Sequence, residues 1–549
     1  MVHAWAPIKV LCRRRALTAD RLENWQRCRR FRGKRAAEMQ RMADMDKIRS
    51  VESRGVFGVV SRFRARLVSG SVAHRLARGA GWSLLGSMLS QALALLSTIV
   101  VARYVGRVGY GEIGMVQSTL GVFGIVAGFG LGASTAKYVA EFRLSTPRRA
   151  AGIMTLTTMA AFAGATAMAL ACFAVAPILA VRTLNNEALI PLLRAGALLL
   201  FISTLNSIQA AALAGFEAFR PIAKINILQG LATPVVTIPC VWMFGVPGAI
   251  AALTIVACIG LILSTMAVKV EAEVHGMLRD LRRIGWTDWP ILWKFALPSM
   301  LSALMVAPVM WITNTMLAAQ RNGYGELGLF NVANQWRVLI LYVSMALGPA
   351  LMPVLSETYG RDDREDFRKA ITLSLRVTWI CALPLTVVVL GWAEPLAALF
   401  GRQFVDAGTM IPILAIACFL NVVTGTVGTA LASSGRMWIG LAMNVGWATA
   451  LIASAMMLIP HQGGQGLAFA YLIAYFLHAI WVLGYVDLKL APASIVKQWR
   501  LFAFSTLILG TSFEASASHR GAFPYQLVLL LLGLGPMFWW ATTGWRKAA

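Results

Sequence analysis

Long uncharged stretches alternate with short polar segments from residue 79 onward. About 20 predominantly apolar residues in a helix cross a hydrocarbon core of about 30 Å. The pattern therefore predicts an all-α polytopic membrane protein with about 14 transmembrane helices. The thirteenth predicted helix is short and ends at Glu514. The predicted spans are 79–102, 113–136, 150–181, 188–215, 225–244, 247–268, 291–318, 327–356, 371–393, 407–432, 435–459, 464–486, 501–513 and 522–541.

A repeated glycine motif divides the chain into two halves. The segment GYGEIG at Gly109–Gly114 returns as GYGELG at Gly323–Gly328, at an offset of 214. Each half holds six predicted spans, an even number, so both copies have the same orientation. We therefore predict two six-helix lobes related by a pseudo-two-fold axis along the membrane normal, with a cavity between them. Further matches occur at offsets up to 218: Leu205-Asn206 with Leu420-Asn421, Ala212–Ala214 with Ala430–Ala432, Asn226 with Asn444, and Gly248 with Gly466.

The duplication sets the expected domain boundaries. Residues 79–268 form the N-terminal lobe, 291–488 form the C-terminal lobe, and 489–549 add two transmembrane helices with a cytoplasmic tail. The segment 269–290 between the lobes carries apolar residues at helical spacing beside arginines, which predicts an amphipathic interfacial linker. An ordinary solvated linker is the alternative for this segment.

The composition excludes a soluble protein. Of 549 residues 58% are hydrophobic and 13% are charged, and the mean hydropathy is +0.67. A soluble chain carries about 25% charged residues. The net charge of +26 does not indicate a nucleic-acid partner. Residues 1–78 contribute +14 of it, and in the rest of the chain the positive charge follows topology, because segments after even-numbered spans hold 20 Lys and Arg and those after odd-numbered spans hold 6. By the positive-inside rule, both termini are cytoplasmic.

Residues 1–78 form a basic extension. They contain 20 Lys and Arg against 6 acids and show no sustained apolar period, which predicts a disordered cytoplasmic segment. No apolar core of a secretory signal peptide occurs before Gly79. Two interpretations stay open: an anchor to anionic membrane lipids, and a non-functional extension with Met42 or Met45 as the true start.

Sequence signatures of enzyme chemistry are missing. The chain has no GxxxxGK[ST] loop, no HExxH, no CxxC and no GxSxG. Its 6 histidines and 7 cysteines show no metal-ligand spacing. The longest predicted outer loop, 394–406, is too short for a catalytic domain. We therefore expect no enzyme activity, no catalytic residue, no cofactor and no metal.

The charged residues well inside the predicted spans are all cations. No Asp or Glu lies within a span, whereas Arg194, Lys294, Arg337 and Arg376 do, and Arg103 stands at the end of the first span. Charge at this depth is expensive and is commonly functional. Because a guanidinium pairs bidentately with phosphate oxygens, this set predicts an anionic substrate with a phosphate or pyrophosphate group.

The depth of each cation offers an alternative to substrate binding. Lys294 and Arg376 lie near the inner ends of their spans and could snorkel to the surface, the interpretation that we favour for Lys294. For Arg194 the two interpretations are evenly balanced. Arg337 lies about eleven residues into its span, too deep for easy snorkelling, and is the strongest candidate. Arg103 is either an interfacial anchor or a residue of the outer cavity mouth.

Several segments resemble those of a known transporter family. They resemble bacterial polysaccharide-biosynthesis flippases, in the O-antigen and exopolysaccharide branch of the multidrug/oligosaccharidyl-lipid/polysaccharide exporter superfamily. The resemblance covers residues 76–490. The segments are VARYVGRVGYGEIGMVQS at Val101–Ser118 with its A-R-x-x-G pattern at Ala102–Gly106, the basic loop KYVAEFR at Lys137–Arg143, and PVLSE at Pro353–Glu357.

The resemblance implies a function. Twelve core helices in two lobes would flip a polyprenyl-pyrophosphate-linked oligosaccharide from the cytoplasmic to the outer leaflet of the bacterial cytoplasmic membrane, by alternating access, for surface polysaccharide export. Cations of the cavity would contact the pyrophosphate. Arg103 is carried over by the A-R-x-x-G pattern, whereas Arg194, Arg337 and Arg376 are assigned from their depth in the spans. Membrane lipids, a polysaccharide polymerase and glycosyltransferases are candidate partners.

Two other functions compete with this one. A drug or organic-cation antiporter of the same superfamily is the alternative, but cation-coupled exchange needs a carboxylate inside the membrane, and the spans contain none. A membrane polymerase or ligase would need a large outer loop for its catalytic residues, and the predicted outer loops are too short.

Overall fold

A computed structural model describes residues 71–280, 288–290, 296, 300, 304–360, 364–492 and 494–517. In this part the chain is helical and forms no strand. The all-α fold is therefore confirmed. Outside the described residues lie Lys294, the fourteenth predicted span, most of the basic extension, and residues 281–287 of the predicted linker.

Twelve α-helices occur in the described part of the chain. Four shorter helical turns accompany them at Leu179–Thr183, Arg402–Thr409, Val486–Leu490 and Val496–Gln498. The helices are α1 (Ser71–Gly128), α2 (Leu131–Phe142), α3 (Pro147–Ile178), α4 (Leu189–Gly215), α5 (Phe219–Val274), α6 (Ala307–Ala318), α7 (Gly323–Gly360), α8 (Arg364–Gly391), α9 (Ala393–Ala398), α10 (Met410–Ser433), α11 (Met437–Tyr485) and α12 (Trp499–Ala517).

Three helices each contain residues of two consecutive predicted spans. α1, α5 and α11 have 58, 56 and 49 residues, and a glycine with non-helical backbone interrupts each one. The breaks lie at Gly106 (φ 75°), Gly245 (φ 61°) and Gly463 (φ 54°). Positive φ is accessible to glycine without steric cost. The helices are therefore kinked at positions that lie between predicted spans.

The duplication is visible in the backbone as well as in the sequence. Gly245 and Gly463 correspond at the offset of 218 and have nearly the same ψ, −133° and −129°. Three positions later, a Cβ on Gly248 would overlap the carbonyl oxygen of Cys240, and a Cβ on Gly466 would overlap that of Leu458. Cys240 and Leu458 are related by the same offset. The two lobes therefore make the same turn with the same close contact.

Seven stretches of the described chain are long and apolar enough to cross a membrane. Three of them contain the glycine breaks, so the seven stretches hold ten of the predicted spans. They are Gly86–Gly128, Pro147–Thr183, Leu189–Gly215, Phe219–Val274, Arg364–Gly391, Arg402–Ser433 and Trp438–Leu490.

The second predicted span, 113–136, is not one continuous helix. α1 ends at Gly128, and Phe129 (φ 44°) and Gly130 (φ 66°) turn the chain before α2 begins. Apolar composition continues across this bend, and hydropathy alone therefore predicts a single span. The predicted outer loop 394–406 is also partly helical, because it contains α9 and the start of the 3-10 turn Arg402–Thr409.

The helix α12 covers the thirteenth predicted span and extends beyond it at both ends. Its 19 residues are about 28 Å long at 1.5 Å per residue. It packs against α8 and α10, and the rings of Trp379 and Phe502 meet edge to face with centroids 4.5 Å apart. Asp487 holds the connection to it, since its Oδ1 accepts hydrogen bonds from the backbone N–H groups of Ile495 (2.6 Å) and Val496 (3.2 Å).

The largest apolar core joins the two lobes. It contains Tyr110, Met115 and Leu120 from α1 together with Leu327 and Phe330 from α7. We call this part of the bundle, which carries Gly109–Gly114 and Gly323–Gly328, the glycine-motif end. A separate core lies within the N-terminal lobe near the loop 143–146 and residues 275–280, which we call the linker end, and includes Val139, Ala151, Leu213 and Val268.

Candidate functional site

Arg337 lies in α7 and is 9% exposed. Its Nε donates a hydrogen bond to Oδ1 of Asn334 at 2.7 Å, three positions earlier on the same helix. The guanidinium carbon lies 5.9 Å from the ring centroid of Tyr471 in α11. One turn further along α11, the hydroxyl of Tyr475 accepts another hydrogen bond from Arg337. The side chain is therefore held in one place by an amide and two tyrosines.

Aromatic rings surround this guanidinium. Tyr471 packs against Phe330 with ring centroids 5.6 Å apart, and Tyr475 packs against Trp447 at 5.5 Å. No carboxylate contacts Arg337 among the described residues. A buried charge without a paired counter-charge costs several kcal/mol. The site can therefore gain free energy by taking up an anion, and the flat guanidinium suits phosphate oxygens.

Arg103 is exposed and links the two lobes at the glycine-motif end. Its Nε donates a hydrogen bond to the backbone oxygen of Leu399 at 2.8 Å. The nearby Gly401 would bring a Cβ to 3.6 Å from Cγ of Arg103. This geometry places Arg103 in a contact between α1 and the segment 394–406.

Arg194 lies on an exposed apolar face of α3 and α4. Its guanidinium carbon is 5.0 Å from the ring centroid of Phe173, a residue that is itself 50% exposed. Leu198, one turn further along α4, is also exposed. This environment is typical of an arginine that extends along a lipid-facing surface.

Arg376 is half-buried in α8, a helix that packs against α7, α10 and α12. The described contacts of Arg103, Arg194 and Arg337 are to separate sets of residues. The structure therefore gives these three arginines different surroundings and does not gather them into one cluster. Their assignment to substrate binding stays a prediction.

The two glycine motifs pack against each other. A Cβ on Gly111 would overlap the backbone oxygen of Tyr324, and a Cβ on Gly328 would overlap that of Arg107. The Tyr324 hydroxyl donates a hydrogen bond to the backbone oxygen of Leu184 at 2.7 Å. Glycine at these positions lets α1 and α7 approach closely. The repeated motif therefore forms the seam between the lobes at this end.

Aromatic side chains extend the seam. Tyr110 packs against Phe400 and Phe404, with ring centroids 6.5 Å and 6.1 Å away. Deeper in the bundle, Nε1 of Trp311 donates a hydrogen bond to Oγ1 of Thr119 at 3.0 Å. These contacts join the lobes on the side where the charge pattern predicts the outer surface.

Sequence reasoning missed the partners of Arg337. Asn334 is one helical turn from Arg337, and Tyr471 and Tyr475 are one turn apart in an otherwise apolar span. Polar residues at these spacings share a helix face. That periodicity is the signal that could have identified them.

Comparison with known proteins gives the family. The family described as polysaccharide biosynthesis protein matches residues 76–359, more than half of the chain, and the family described as MatE matches residues 298–455. The chain is similar to the EPS I polysaccharide export inner membrane protein EpsE of Ralstonia nicotianae, with 30% identity over 201 residues. The match covers 35% of this chain and 44% of EpsE, so the chain spans less than half the length of that relative.

Solved structures of transporters share the fold. A multidrug resistance MATE family transporter of the MOP superfamily, in an inward-facing conformation, matches with a TM-score of 0.64 and 17% identity over 76% of this chain and 99% of that one. The lipid II flippase MurJ, in an inward closed conformation, matches with a TM-score of 0.63 and 12% identity over 84% and 98%.

These comparisons confirm the resemblance seen in the sequence and the expectation that the chain is not an enzyme. The seven long apolar stretches of the described chain agree with a multi-pass membrane protein. The chain therefore belongs to the polysaccharide biosynthesis protein family.

Proposed function

We propose that the protein flips a polyprenyl-pyrophosphate-linked oligosaccharide from the cytoplasmic to the outer leaflet of the cytoplasmic membrane, for export of surface polysaccharide. The observation that carries the proposal is the buried guanidinium of Arg337, which is held by Asn334 and Tyr475 without a carboxylate among its described contacts. The polysaccharide export relative and the fold shared with a flippase support it.

The pyrophosphate head group is the part of the substrate that needs the protein. It is charged and cannot cross the hydrocarbon core alone, whereas the polyprenyl tail can stay in the bilayer. A guanidinium offers two parallel N–H groups to phosphate oxygens. Arg337 would therefore bind the head group between the lobes, and Arg376 in the neighbouring helix α8 is a second candidate for this role.

The contacts at the glycine-motif end fit alternating access. With the predicted topology this end faces outward, so the lobes meet on the outer side and the head group enters from the cytoplasm. Release to the outer leaflet then requires the lobes to separate at this seam. Arg103 would lose its hydrogen bond to Leu399 in that step. Arg194 would remain at the lipid-facing surface throughout.

The test is a variant of Arg337 in a strain that lacks the gene. Arg337→Ala should reduce surface polysaccharide about tenfold to 100-fold, since hydrogen bonds to a charged group contribute about 1.5–3 kcal/mol. The lipid-linked precursor should accumulate in the inner leaflet at unchanged protein level. Arg220→Ala, at an exposed position in the first turn of α5, is the control and should restore export. Normal surface polysaccharide with Arg337→Ala would contradict the role of Arg337.

A drug or organic-cation antiporter is the second candidate function. The MatE match and the shared fold of a multidrug transporter favour it. The positive charge of Arg337 argues against an antiporter of organic cations, because that charge would repel a cationic substrate. Expression in a drug-sensitive host separates the two functions: an antiporter raises resistance to cationic dyes, and a flippase does not.

Three further assignments are part of the proposal. Both termini are cytoplasmic, which reporter fusions at each end can test. The domain boundaries follow the duplication, with the amphipathic linker between the lobes. A polysaccharide polymerase and glycosyltransferases act with the protein, and cross-linking in intact membranes can identify them.

A further inference from the structure

A second polar region lies inside the N-terminal lobe, near the linker end. We call it the amide layer and define it by Gln91 in α1, Asn206 in α4, and Asn226 and Gln229 in the first half of α5. All four side chains are half-buried and uncharged. They occupy predicted membrane spans, where polar side chains usually pair with each other or serve a substrate path.

Hydrogen bonds and close contacts connect the amides to neighbouring helices. Oδ1 of Asn206 accepts a hydrogen bond from Ser264 at 3.0 Å. Gln229 and Asn206 both approach the space beside Gly260. Nδ2 of Asn226 donates a hydrogen bond to Oγ of Ser87 at 3.1 Å. The layer therefore links α1, α4 and both halves of α5.

One contact joins the amide layer to the C-terminal lobe. The hydroxyl of Tyr342 in α7 donates a hydrogen bond to Oε1 of Gln91 at 3.4 Å. Tyr342 follows Arg337 by five positions, which places it about 7.5 Å further along the helix axis and turned by about 140°. The same helix therefore presents a cation to the C-terminal lobe and a hydroxyl to the amide layer.

The C-terminal lobe repeats part of this layer, since Asn206 and Asn226 correspond to Asn421 and Asn444, but it lacks the polar groups at two other positions. At the offset of 218, Gln229 corresponds to Trp447 and Ser264 corresponds to Val482. The helices of that lobe make the same glycine break at Gly463 with apolar side chains in these places. The shared helix packing therefore does not account for Gln229 and Ser264 in the N-terminal lobe.

The chemistry of the layer suits a neutral, hydroxyl-rich ligand. A side-chain amide has two N–H donors and an oxygen with two lone pairs. On each of Asn206, Asn226 and Gln91, a described side-chain hydrogen bond involves only one of the two polar atoms of the amide. Sugar hydroxyls both donate and accept, so they match such groups. A phosphate would instead prefer a cation.

We propose that the amide layer binds the oligosaccharide of the substrate, next to the pyrophosphate held by Arg337. The inference rests on the proposed flippase function, and it assigns the two lobes to two parts of one substrate. The N-terminal lobe recognises sugar hydroxyls, and the C-terminal lobe holds the anionic link to the lipid.

Binding of two probes to the full chain in lipid nanodiscs tests the inference. One probe is the lipid-linked oligosaccharide extracted from the deletion strain, and the other is polyprenyl pyrophosphate without sugar. Asn206→Ala and Tyr342→Phe should each weaken binding of the first probe about threefold to tenfold, since each removes one or two hydrogen bonds, and should leave the second unchanged. Tyr342→Phe removes a single hydroxyl and so keeps the test valid where Asn206→Ala fails to fold.

The chain offers a matched control. Asn421→Ala changes the residue that corresponds to Asn206 in the other lobe, and it should leave the binding of both probes unchanged. Equal weakening of both probes by Asn206→Ala, or no change of either probe with Tyr342→Phe, would overturn the inference while the flippase function stands. If the unaltered protein binds neither probe, the proposed function fails, and this inference fails with it.

Discussion

The two lobes repeat one backbone but differ in the chemistry of their interiors. The C-terminal lobe encloses Arg337 among Tyr471, Tyr475 and Trp447. At the corresponding offsets of 214 and 218, the N-terminal lobe has Phe123 in place of Arg337 and Leu253 and Ala257 in place of the tyrosines. The glycine break of α5 and α11 is shared, whereas the polar groups around Arg337 are not. The duplicated fold supplies the scaffold, and each lobe has acquired its own polar site.

The shared backbone predicts equal sensitivity at its two turns, and this is the largest expected effect. Gly248→Ala and Gly466→Ala should each lower the free energy of unfolding by about 3 kcal/mol, because the new Cβ overlaps a carbonyl oxygen in both lobes. Thermal unfolding of the purified protein measures this.

Gly428→Ala is the control for these variants, since a Cβ there meets no atom of the described residues within 4 Å. It should leave the stability unchanged or slightly raised, because alanine favours helix over glycine. A large loss at Gly466 with none at Gly248 would show that the lobes do not share the turn.

The seam between the lobes predicts a smaller effect. Gly111→Ala should weaken the contact with α7 by about 1–2 kcal/mol and favour separation of the lobes at the glycine-motif end. Gly121→Ala is the control and should have neither effect, because open space surrounds Gly121 among the described residues. In a Thr119→Cys background without other cysteines, labelling by a membrane-impermeant maleimide should rise about fivefold to 30-fold with Gly111→Ala only. Equal labelling in both variants would contradict the seam.

The interior of the C-terminal lobe predicts the smallest effect. Tyr475→Phe removes the hydroxyl that accepts a hydrogen bond from Arg337 and should weaken binding of polyprenyl pyrophosphate about fivefold, equivalent to about 1 kcal/mol. Tyr471→Phe should weaken this binding less, because the phenyl ring stays beside the guanidinium of Arg337 and the hydroxyl of Tyr471 is hydrogen-bonded to Thr313 and not to Arg337. A larger loss with Tyr471→Phe than with Tyr475→Phe would reverse this assignment.

The sequence predicts much of the fold because hydropathy is a property of each segment by itself. Apolar stretches separated by polar residues locate the helices, and the glycine motif reveals the duplication. The bend at Phe129 and Gly130 was missed because it lies between apolar residues and leaves no trace in hydropathy.

The candidate site was less predictable, because its composition depends on how the helices are rotated. Depth along the span predicts the burial of Arg337, which the structure confirms at 9% exposure. Depth does not distinguish a residue that faces a neighbouring helix from one that faces lipid. For Arg194 the sequence therefore left substrate binding and snorkelling evenly balanced, and the structure places it beside the exposed ring of Phe173. The pairing of Arg337 with α11 depends on contacts between positions that are far apart in the chain.

The helix α12 breaks the two-fold symmetry of the bundle. It covers the flank formed by α8 and α10, and the N-terminal lobe has no equivalent helix among its described residues. For the proposed substrate, whose isoprenoid tail would stay in the bilayer, α12 would close that flank to the tail. The tail would then have to enter at a flank that α12 does not cover.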